Sequence, residues 1–406
     1  MTRDGYLLFG TRVARMFAYG FLAVVLALYL AQAGLSETKI GLLLTLTLVG
    51  DAAISLWITT HADRIGRRRM LVVGAALMLF AGIVFALTRD FFVLLIAATI
   101  GVISPSGYEV GPFLAVEQAS LTQLLPGERR TQVFAWYNLV GSFATAAGSL
   151  CGGGLAQMLQ GGGVAPLDSY RAVVVGYAVI GVILGLLFSR LSPEVEAPAS
   201  GEQPTARRLG LHRSRGVVFR LAALFSLDAF AGGFVVQAIV AYWFHTRFGV
   251  EPGVLGGIFF GANILAGISA LSAARIASKI GLIRTMVFTH IPSNVLLMLV
   301  PLMPTLPLAV VVLLMRFSIS QMDVPTRQSY TMAVVAPDER SAAAGVTAIA
   351  RTVGASLAPV IAGPMLGIAA LASVPFFLAG GLKIVYDLSL YRSFRGTKPP
   401  EETLQA

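Results

Sequence analysis

The sequence has little charge, little cysteine and little histidine. Only 12% of its 406 residues are charged, whereas about 25% is usual for a soluble globular protein, so an ordinary soluble domain is excluded. The one cysteine, Cys151, can form neither an intrachain disulfide nor a cysteine metal cage. The four histidines are dispersed along the chain. We therefore expect no metal site and no cofactor.

Catalytic and nucleotide-binding motifs are also missing. The chain contains no His-Glu-x-x-His, no Gly-x-Ser-x-Gly and no Gly-x-x-x-x-Gly-Lys-Ser/Thr loop. These absences argue against an integral-membrane enzyme and against a pump that is driven by ATP on its own. The net charge is +10, but no patch interleaves basic and aromatic residues, so we expect no nucleic-acid partner.

Long apolar runs are what the sequence has instead. A membrane span needs roughly 20 mainly apolar residues, and the chain offers twelve such windows with short links between them. The windows are 8–32, 38–59, 70–88, 91–113, 132–158, 170–190, 217–244, 253–277, 284–303, 307–332, 342–364 and 367–391. The sequence therefore predicts an all-α membrane protein with twelve transmembrane helices.

One polar segment, 192–215, divides these spans into six and six. It is rich in proline, alanine, glycine and charge, a composition typical of a flexible linker. We predict four parts of the chain: an N-terminal six-helix half at 1–191, a cytoplasmic linker at 192–216, a C-terminal six-helix half at 217–391 and a cytoplasmic tail at 392–406.

The basic residues are distributed unequally between the two faces. Most of the 30 lysines and arginines fall in loops that share a side with the N-terminus. Positively charged loops stay in the cytoplasm, so the pattern predicts that both termini are cytoplasmic. We expect a multi-pass protein of the plasma (inner) membrane.

The two halves also echo each other in sequence. Residues 62–66 (Ala-Asp-Arg-Ile-Gly) match 277–281 (Ala-Ser-Lys-Ile-Gly), and 125–129 (Leu-Pro-Gly-Glu-Arg) match 336–340 (Ala-Pro-Asp-Glu-Arg). Each half thus has a basic loop after its second span and a Pro-x-Glu-Arg loop after its fourth. Internal repeats of this kind are typical of secondary transporters, in which two pseudo-symmetric halves surround one binding site.

The loop after span 2 is the most specific motif. Its core, Asp63-Arg64-Ile65-Gly66-Arg67-Arg68, resembles the signature loop between helices 2 and 3 of the major facilitator superfamily, and the resemblance covers the whole chain. It implies alternating access, with a lock on the outward-open arrangement formed by Asp63, Arg64, Gly66, Arg67 and Arg68. The family pattern begins with a glycine where this chain has Thr59, and Ser278 replaces the acid in the second half.

Ionisable residues inside the spans are the best guide to function, because a charge at the bilayer centre costs at least ~2.5–3.5 kcal/mol. Spans 1, 4, 7 and 10 line the central cavity in the resembled family, which favours five of these residues. We assign the cavity or proton coupling to Glu109, Asp228, Asp323, Arg316 and Arg15, with Asp51 and Glu117 as further candidates.

Glu109 and Asp228 have no opposite charge within one helical turn of their own chain. A desolvated carboxyl can bind and release a proton near neutral pH, so we predict that both are unpaired and couple transport to protons. The alternative is an ion pair with an arginine on another helix. Asp323 and Arg327 are four residues apart and can pair directly, while Arg12, Arg15 and Lys383 could extend to the cytoplasmic interface.

Span 4 contains two prolines and two glycines within residues 104–112 (Ser-Pro-Ser-Gly-Tyr-Glu-Val-Gly-Pro). These residues predict a broken helix beside Glu109, and irregular backbone at membrane depth is tolerated where it lines a cavity. A glycine pattern at 148–154 in span 5 is similar to that of family exporters but lacks the proline, so close helix packing explains it equally well.

Together these features predict a secondary active transporter that exports a small toxic compound or metabolite in exchange for protons. The alternatives are proton-coupled uptake of a nutrient or metabolite and a non-transporting receptor of the same fold. A channel suits the six-plus-six repeat less well. The expected partners are the small-molecule substrate, protons and the lipid bilayer, and we expect a monomer.

Overall fold

A computed structural model describes residues 2–109, 113–124, 130–196, 212–336 and 339–396, without the side chains of 130–132 and 341. The regular structure of these residues is helical, with no strand. The sixteen α-helices are α1 (Arg3–Ala23), α2 (Leu26–Gln32), α3 (Glu37–Ile65), α4 (Arg67–Leu87), α5 (Phe91–Ile100), α6 (Phe113–Leu124), α7 (Arg130–Gly161), α8 (Pro166–Ser189), α9 (Arg215–Gly233), α10 (Gln237–Phe248), α11 (Pro252–Ile280), α12 (Leu282–Leu299), α13 (Leu306–Phe317), α14 (Asp323–Val334), α15 (Arg340–Leu366) and α16 (Val374–Phe394).

Within the described residues, nine helical stretches are long and apolar enough to cross a membrane. The pair α1 and α2, bent by 43°, forms a tenth, and α5 and α13 are shorter apolar helices. Eleven of the twelve predicted windows overlap one helix or two consecutive helices along most of their length, whereas the window 91–113 contains α5 and ends where α6 begins. The predicted all-α membrane fold is confirmed, and the helices are consistent with twelve spans.

Within the described residues, four spans are each divided into two helices: α1–α2, α5–α6, α9–α10 and α13–α14. The break in span 4 was predicted and is confirmed, since helix ends at Ile100 and resumes at Phe113. The break in span 10, between Phe317 and Asp323, was not predicted. Pro325 lies in the first turn of α14, where its missing N–H costs no helical hydrogen bond.

The chain forms two compact units. Unit 1 contains Met1–Ala199 and Val236–Asn263, and unit 2 contains Ser200–Val235 and Ile264–Ala406. The predicted halves, 1–191 and 217–391, stay a prediction.

In unit 1, glycines let α1 and α7 pack backbone to backbone. A Cβ at Gly148 would overlap the Phe17 carbonyl oxygen, and one at Gly152 would overlap that of Phe21. Such close approach is the usual role of small residues between membrane helices. The glycine pattern of span 5 therefore has a packing explanation.

In unit 2, α9 packs against α15 in the same way. A Cβ at Gly354 would overlap the Ser226 carbonyl oxygen. The core around them contains Phe225, Met286, Tyr330, Tyr386 and Leu390, all nearly inaccessible. This packing fixes the helices that carry the charged side chains of the unit.

The predicted linker is described only at its two ends. Residues 193–195 form a 3-10 turn in unit 1, and His212, Arg213 and Ser214 donate their backbone N–H groups to Glu339 in unit 2. Residues 197–211 and 397–406 lie outside the described part of the chain.

Candidate functional site

Each unit buries a cluster of charged side chains. The N-terminal cluster, in unit 1, consists of Thr11, Arg12 and Arg15 on α1, Glu109 at the break of span 4, Glu117 on α6 and Tyr137 on α7. The C-terminal cluster, in unit 2, consists of Asp228 on α9, His290 and Asn294 on α12, Asp323 and Arg327 on α14, Arg351 on α15, and Lys383 and Asp387 on α16.

Arg15 is the centre of the N-terminal cluster. Its Nη1 and Nη2 each donate to one oxygen of Glu117 at 2.8 Å, and its Nε donates to Glu109 at 2.9 Å. Glu117 also accepts hydrogen bonds from Thr11 at 2.7 Å and from Tyr137. Two-point arginine–carboxylate pairs of this kind are strong and fix geometry, so Glu117 and Arg15 form the rigid part of the cluster.

Glu109 lies at the accessible edge of the same cluster. Its side chain is 15% exposed, whereas that of Glu117 is 0% exposed. It forms ion pairs with both Arg15 and Arg12, so the prediction that Glu109 is unpaired is wrong. Arg12 and Arg15 are buried and do not extend to the interface, because the carboxylates that neutralise them come from span 4.

Polar contacts surround the backbone beside Glu109. The hydroxyl of Ser104 donates to the Tyr108 carbonyl at 2.7 Å, and the Ala238 N–H donates to the Pro105 carbonyl at 3.0 Å. Gly107 has a φ of +71°, a left-handed conformation that favours glycine. Partners from α10 thus satisfy part of the freed backbone, as burial in protein requires.

Asp228 is the centre of the C-terminal cluster. It accepts from Lys383 at 2.6 Å, from Arg351 at 2.9 Å and from Arg327 at 3.2 Å. The prediction that Asp228 is unpaired is therefore wrong, because three cations reach it from three other helices. Lys383 has a side chain only 10% exposed and does not extend to the interface either.

Two carboxylates extend this cluster. Asp323 pairs with Arg327 at 2.9 Å, which confirms the pair predicted from their spacing of four. Asp387 accepts from His290 Nδ1 at 2.9 Å and from Asn294 Nδ2 at 3.1 Å. Counted as ionised groups, the three acids balance the two arginines and the lysine of the cluster when the imidazole is neutral.

The two remaining predicted residues, Asp51 and Arg316, lie on α3 and α13. Asp51 is buried on α3 within electrostatic range of Tyr19 and Tyr177. Arg316 lies in the last turn of α13 and is half-buried, with its guanidinium 4.9 Å from the centroid of the Phe317 ring. Neither observation tests a role in the cavity or in proton coupling, so the functions of Asp51 and Arg316 stay predictions.

The signature loop forms a network of its own. Arg67 Nε donates to Asp63 at 2.7 Å, and its Nη1 donates to Gln123 at 3.0 Å. Gly66 makes the tight turn between α3 and α4 with a φ of +113°. Glu196 accepts the backbone N–H of Arg67 at 2.6 Å, so the segment after span 6 caps the start of α4.

Side chains of the loop differ in their burial. Arg67 is buried, while the side chain of Asp63 is 64% exposed. Arg68 donates its backbone N–H to Glu196 at 3.3 Å and its Nη1 to the Leu191 carbonyl at 3.2 Å. Arg64 is exposed. The locking role of these residues stays a prediction.

Sequence reasoning missed several members of both clusters. Tyr137 and Asn294 carry no charge and His290 can be neutral, so a search for charged residues inside the spans does not find them. Asp387 and Lys383 lie late in the last span. An acid inside the last span, Asp387, together with a histidine inside span 9, is the one signal in the sequence that points to this part of the cluster. The missing information was which helices pack together.

The comparisons with known proteins agree with this architecture. Residues 8–359 match the Major Facilitator Superfamily. The chain is 31% identical over 425 residues to the "Uncharacterized membrane protein YJR124C" of Saccharomyces cerevisiae, covering 97% of this chain and 95% of that protein. It is 29% identical over 163 residues to a Na(+), Li(+), K(+)/H(+) antiporter of Planococcus maritimus, covering 40% and 36% of the two proteins.

Solved structures show the same fold. A bacterial homolog of the human lysosomal transporter Spinster has a TM-score of 0.74 with 15% identity, covering 96% of both chains. The nucleoside transporter NupG has a TM-score of 0.72 with 14% identity, covering 97% of this chain and 100% of its own. The D-xylose-proton symporter has a TM-score of 0.70 with 14% identity, covering 96% and 97%. The chain is a multi-pass membrane protein that belongs to the Major Facilitator Superfamily.

Proposed function

We propose that the protein is a secondary active transporter that exports a small toxic compound or metabolite in exchange for protons. Family membership supports transport as the general function. The partial likeness to an antiporter supports exchange rather than co-transport. Charged residues buried at membrane depth are costly and mark substrate or proton pathways, and each unit contains a cluster of them.

The position of Glu109 supports the proposal most directly. Glu109 is the most accessible carboxylate of the N-terminal cluster, and it stands at the break of span 4. A proton on Glu109 removes the charge that holds Arg12, whereas Arg15 keeps both of its hydrogen bonds to Glu117. Protonation of Glu109 thus changes the contacts of Glu109 and Arg12, while the pair of Arg15 and Glu117 stays in place.

This arrangement is suited to coupling proton binding to a conformational change. Breaking a buried ion pair is costly because it leaves a charge without compensation, so loss of the Glu109 charge favours a rearrangement that gives Arg12 another partner. Release of the proton restores the pair. A cycle of this kind links proton binding to a change in the backbone of span 4, where the proposed substrate cavity lies.

The other predicted residues have supporting roles in this proposal. Asp228 and Asp323 hold the cations of the C-terminal cluster in place, and Glu117 holds Arg15. We place Asp51 and Arg316 in the proton pathway or the substrate cavity. Asp63, Arg64, Gly66, Arg67 and Arg68 form the lock of the outward-open arrangement.

We further propose the inner membrane as the location, with both termini in the cytoplasm and the monomer as the working unit. The unequal distribution of basic residues supports that orientation. The two six-helix halves, 1–191 and 217–391, would then alternate access to the central cavity.

Everted membrane vesicles test the proposal. Respiration acidifies their interior, and a compound that enters in exchange for protons dissipates the gradient, which the fluorescence of acridine orange reports. With a compound identified by a resistance screen, we expect the compound to dissipate the gradient in wild-type vesicles and not in Glu109→Gln vesicles, and to cause no further change once a protonophore has collapsed the gradient. The matched control is Glu251→Gln, which alters an exposed acid before α11.

The outcomes separate the alternatives. Dissipation by Glu109→Gln at the wild-type rate would remove Glu109 from coupling. Accumulation of the compound in right-side-out vesicles would identify uptake instead of efflux.

A further inference from the structure

A buried histidine lies between two carboxylates in the C-terminal cluster. The side chain of His290 is 5% exposed. Its Nδ1 is 2.9 Å from Oδ1 of Asp387, and its Nε2 is 4.0 Å from Oδ1 of Asp228. The two acids come from α16 and α9, so the imidazole on α12 connects three helices.

The hydrogen bonds define the protonation form of the ring. An ionised carboxylate can only accept, so Nδ1 of His290 carries the hydrogen that it donates to Asp387. Asn294, one turn later on α12, donates to the second oxygen of Asp387 at 3.1 Å and fixes the carboxylate. In the neutral imidazole, the basic nitrogen is then Nε2, which faces Asp228.

The charge balance of the cluster favours His290 as the place for an added proton. A proton on Asp228 would remove the charge that holds Lys383, Arg351 and Arg327, leaving buried cations without compensation. A proton on His290 leaves the charge of Asp228 in place, so all three cations keep a carboxylate with which to pair. It also places the new positive charge between two carboxylates, where Coulomb attraction stabilises it.

We propose that His290 binds the coupling proton of the C-terminal cluster and that Asp387 and Asn294 are the residues that position it. The inference rests on the proposed proton-coupled transport. The inference assigns the proton in this unit to a histidine, whereas the sequence predicted Asp228. In the structure Asp228 binds three cations.

The helices whose side chains meet in the cluster around the imidazole contribute charged or titratable groups. They are Asp228 on α9, Asp323 and Arg327 on α14, Arg351 on α15, and Lys383, Tyr386 and Asp387 on α16. Among these, Lys383 is decisive, because its Nζ binds the same oxygen of Asp228 that Nε2 of His290 faces.

Protonation of His290 therefore sets up a competition. The new N–H at Nε2 can donate to Oδ1 of Asp228 once the 4.0 Å separation shortens, and that oxygen already accepts from Lys383 at 2.6 Å. A stronger bond to His290 weakens the hold on Lys383. The proton thereby changes how α16 is tied to α9, which is the kind of rearrangement that coupling requires.

Nuclear magnetic resonance of labelled histidine tests this directly, on the full-length protein in lipid nanodiscs. The chain has four histidines, and the signal that is lost in His290→Gln identifies His290. We expect this signal to convert from the one-proton to the two-proton form as the pH is lowered over the range in which the protein stays folded. We also expect Asp387→Asn, which keeps His290, to displace the conversion along the pH axis.

His245 provides the matched control. It lies on α10 in unit 1, where its Nδ1 is 2.8 Å from the Val250 carbonyl oxygen, and Asp387→Asn should leave its signal unchanged. A His290 signal that stays in one form over the whole range would overturn the proposal. So would a conversion that is the same in Asp387→Asn as in the wild type.

Proton flux coupled to export gives a second readout. Proteoliposomes loaded with pyranine and with the compound identified by the resistance screen report proton entry as the compound leaves. We expect His290→Gln to fall to the rate of protein-free liposomes and His245→Gln to keep the wild-type rate. Equal rates for the two variants would contradict a role of His290 in proton movement.

The two measurements also separate this inference from the proposed function. The resonance experiment involves no transport, so a His290 that converts with pH supports the inference even if Glu109→Gln leaves exchange intact. Loss of exchange in Glu109→Gln, together with an inert His290, keeps the proposed function and overturns the inference.

Discussion

Arg15 holds Glu117 with both terminal nitrogens of its guanidinium, each 2.8 Å from one carboxylate oxygen. Both side chains are 0% exposed. A fork of two parallel hydrogen bonds needs the planar guanidinium, which the compact ammonium of lysine cannot replace. The pair connects α1 with α6 and so supports the start of the second part of span 4.

Arg15→Lys should therefore destabilise the protein although it keeps the charge. One ammonium cannot make all of the hydrogen bonds that the guanidinium makes to Glu117 and Glu109, and each lost hydrogen bond to a charged group costs about 1.5–3 kcal/mol. The thermal unfolding midpoint in detergent should fall accordingly. Arg171→Lys is the control, because Arg171 pairs with the half-exposed Asp168, and surface pairs contribute about 0–1 kcal/mol. Equal effects of the two substitutions would contradict the special role of the fork.

A pair of glycines on α7 tests the helix packing of unit 1. Gly148→Ala places a Cβ into the Phe17 carbonyl oxygen, whereas Gly154→Ala meets nothing within 4 Å. Forcing a methyl group into a packed interface costs about 1–3 kcal/mol. We expect a lower unfolding midpoint and lower yield for Gly148→Ala, and an unchanged or slightly higher midpoint for Gly154→Ala, since alanine favours helix. A tolerated Gly148→Ala would show that α1 and α7 are further apart than described.

The placement of the spans could be predicted from the sequence because hydropathy is a local property. The break in span 4 could be predicted for the same reason, since proline and glycine act on their own backbone. Ion pairs were predictable only at helical spacing, as with Asp323 and Arg327. The cations that bind Asp228 lie on other helices and far away in sequence. Because no opposite charge lies near Asp228 on its own helix, the sequence predicted wrongly that it is unpaired. His290 was missed because no residue near it on α12 indicates that Asp387, on α16, lies beside it.

The cap on α4 gives a third test. Glu196 accepts the backbone N–H groups of Arg67 and Arg68, which would otherwise be unsatisfied donors at a helix start. Glu196→Ala should cost about 0.5–2 kcal/mol, as for other lost helix caps. The unfolding midpoint measures this loss. Glu194→Ala is the control, because Glu194 is exposed and bonds Gln123 through its backbone carbonyl, which alanine keeps. A midpoint for Glu196→Ala at the wild-type value would exclude the cap.

Glu339 predicts a dependence of stability on acid. Although its burial raises the pKa, backbone N–H groups of His212, Arg213 and Ser214 donate to the carboxylate and lower the pKa of Glu339 to about 2. An unfolded glutamate has a pKa of about 4.3. The folded state therefore binds the proton less readily, and the stabilisation is complete above the unfolded value. It is lost as the pH falls through that window towards about 2.

The unfolding midpoint of the wild type should consequently fall more steeply below about pH 4 than that of Glu339→Gln, which has no charge to lose. Glu251→Gln, at an exposed acid, should keep the wild-type slope. Glu339 joins the residues before α9 to the loop before α15, so Glu339→Gln should also lower the midpoint at neutral pH, where the carboxylate is ionised. Parallel curves for the wild type and Glu339→Gln would show that these three backbone donors do not act on a charged group.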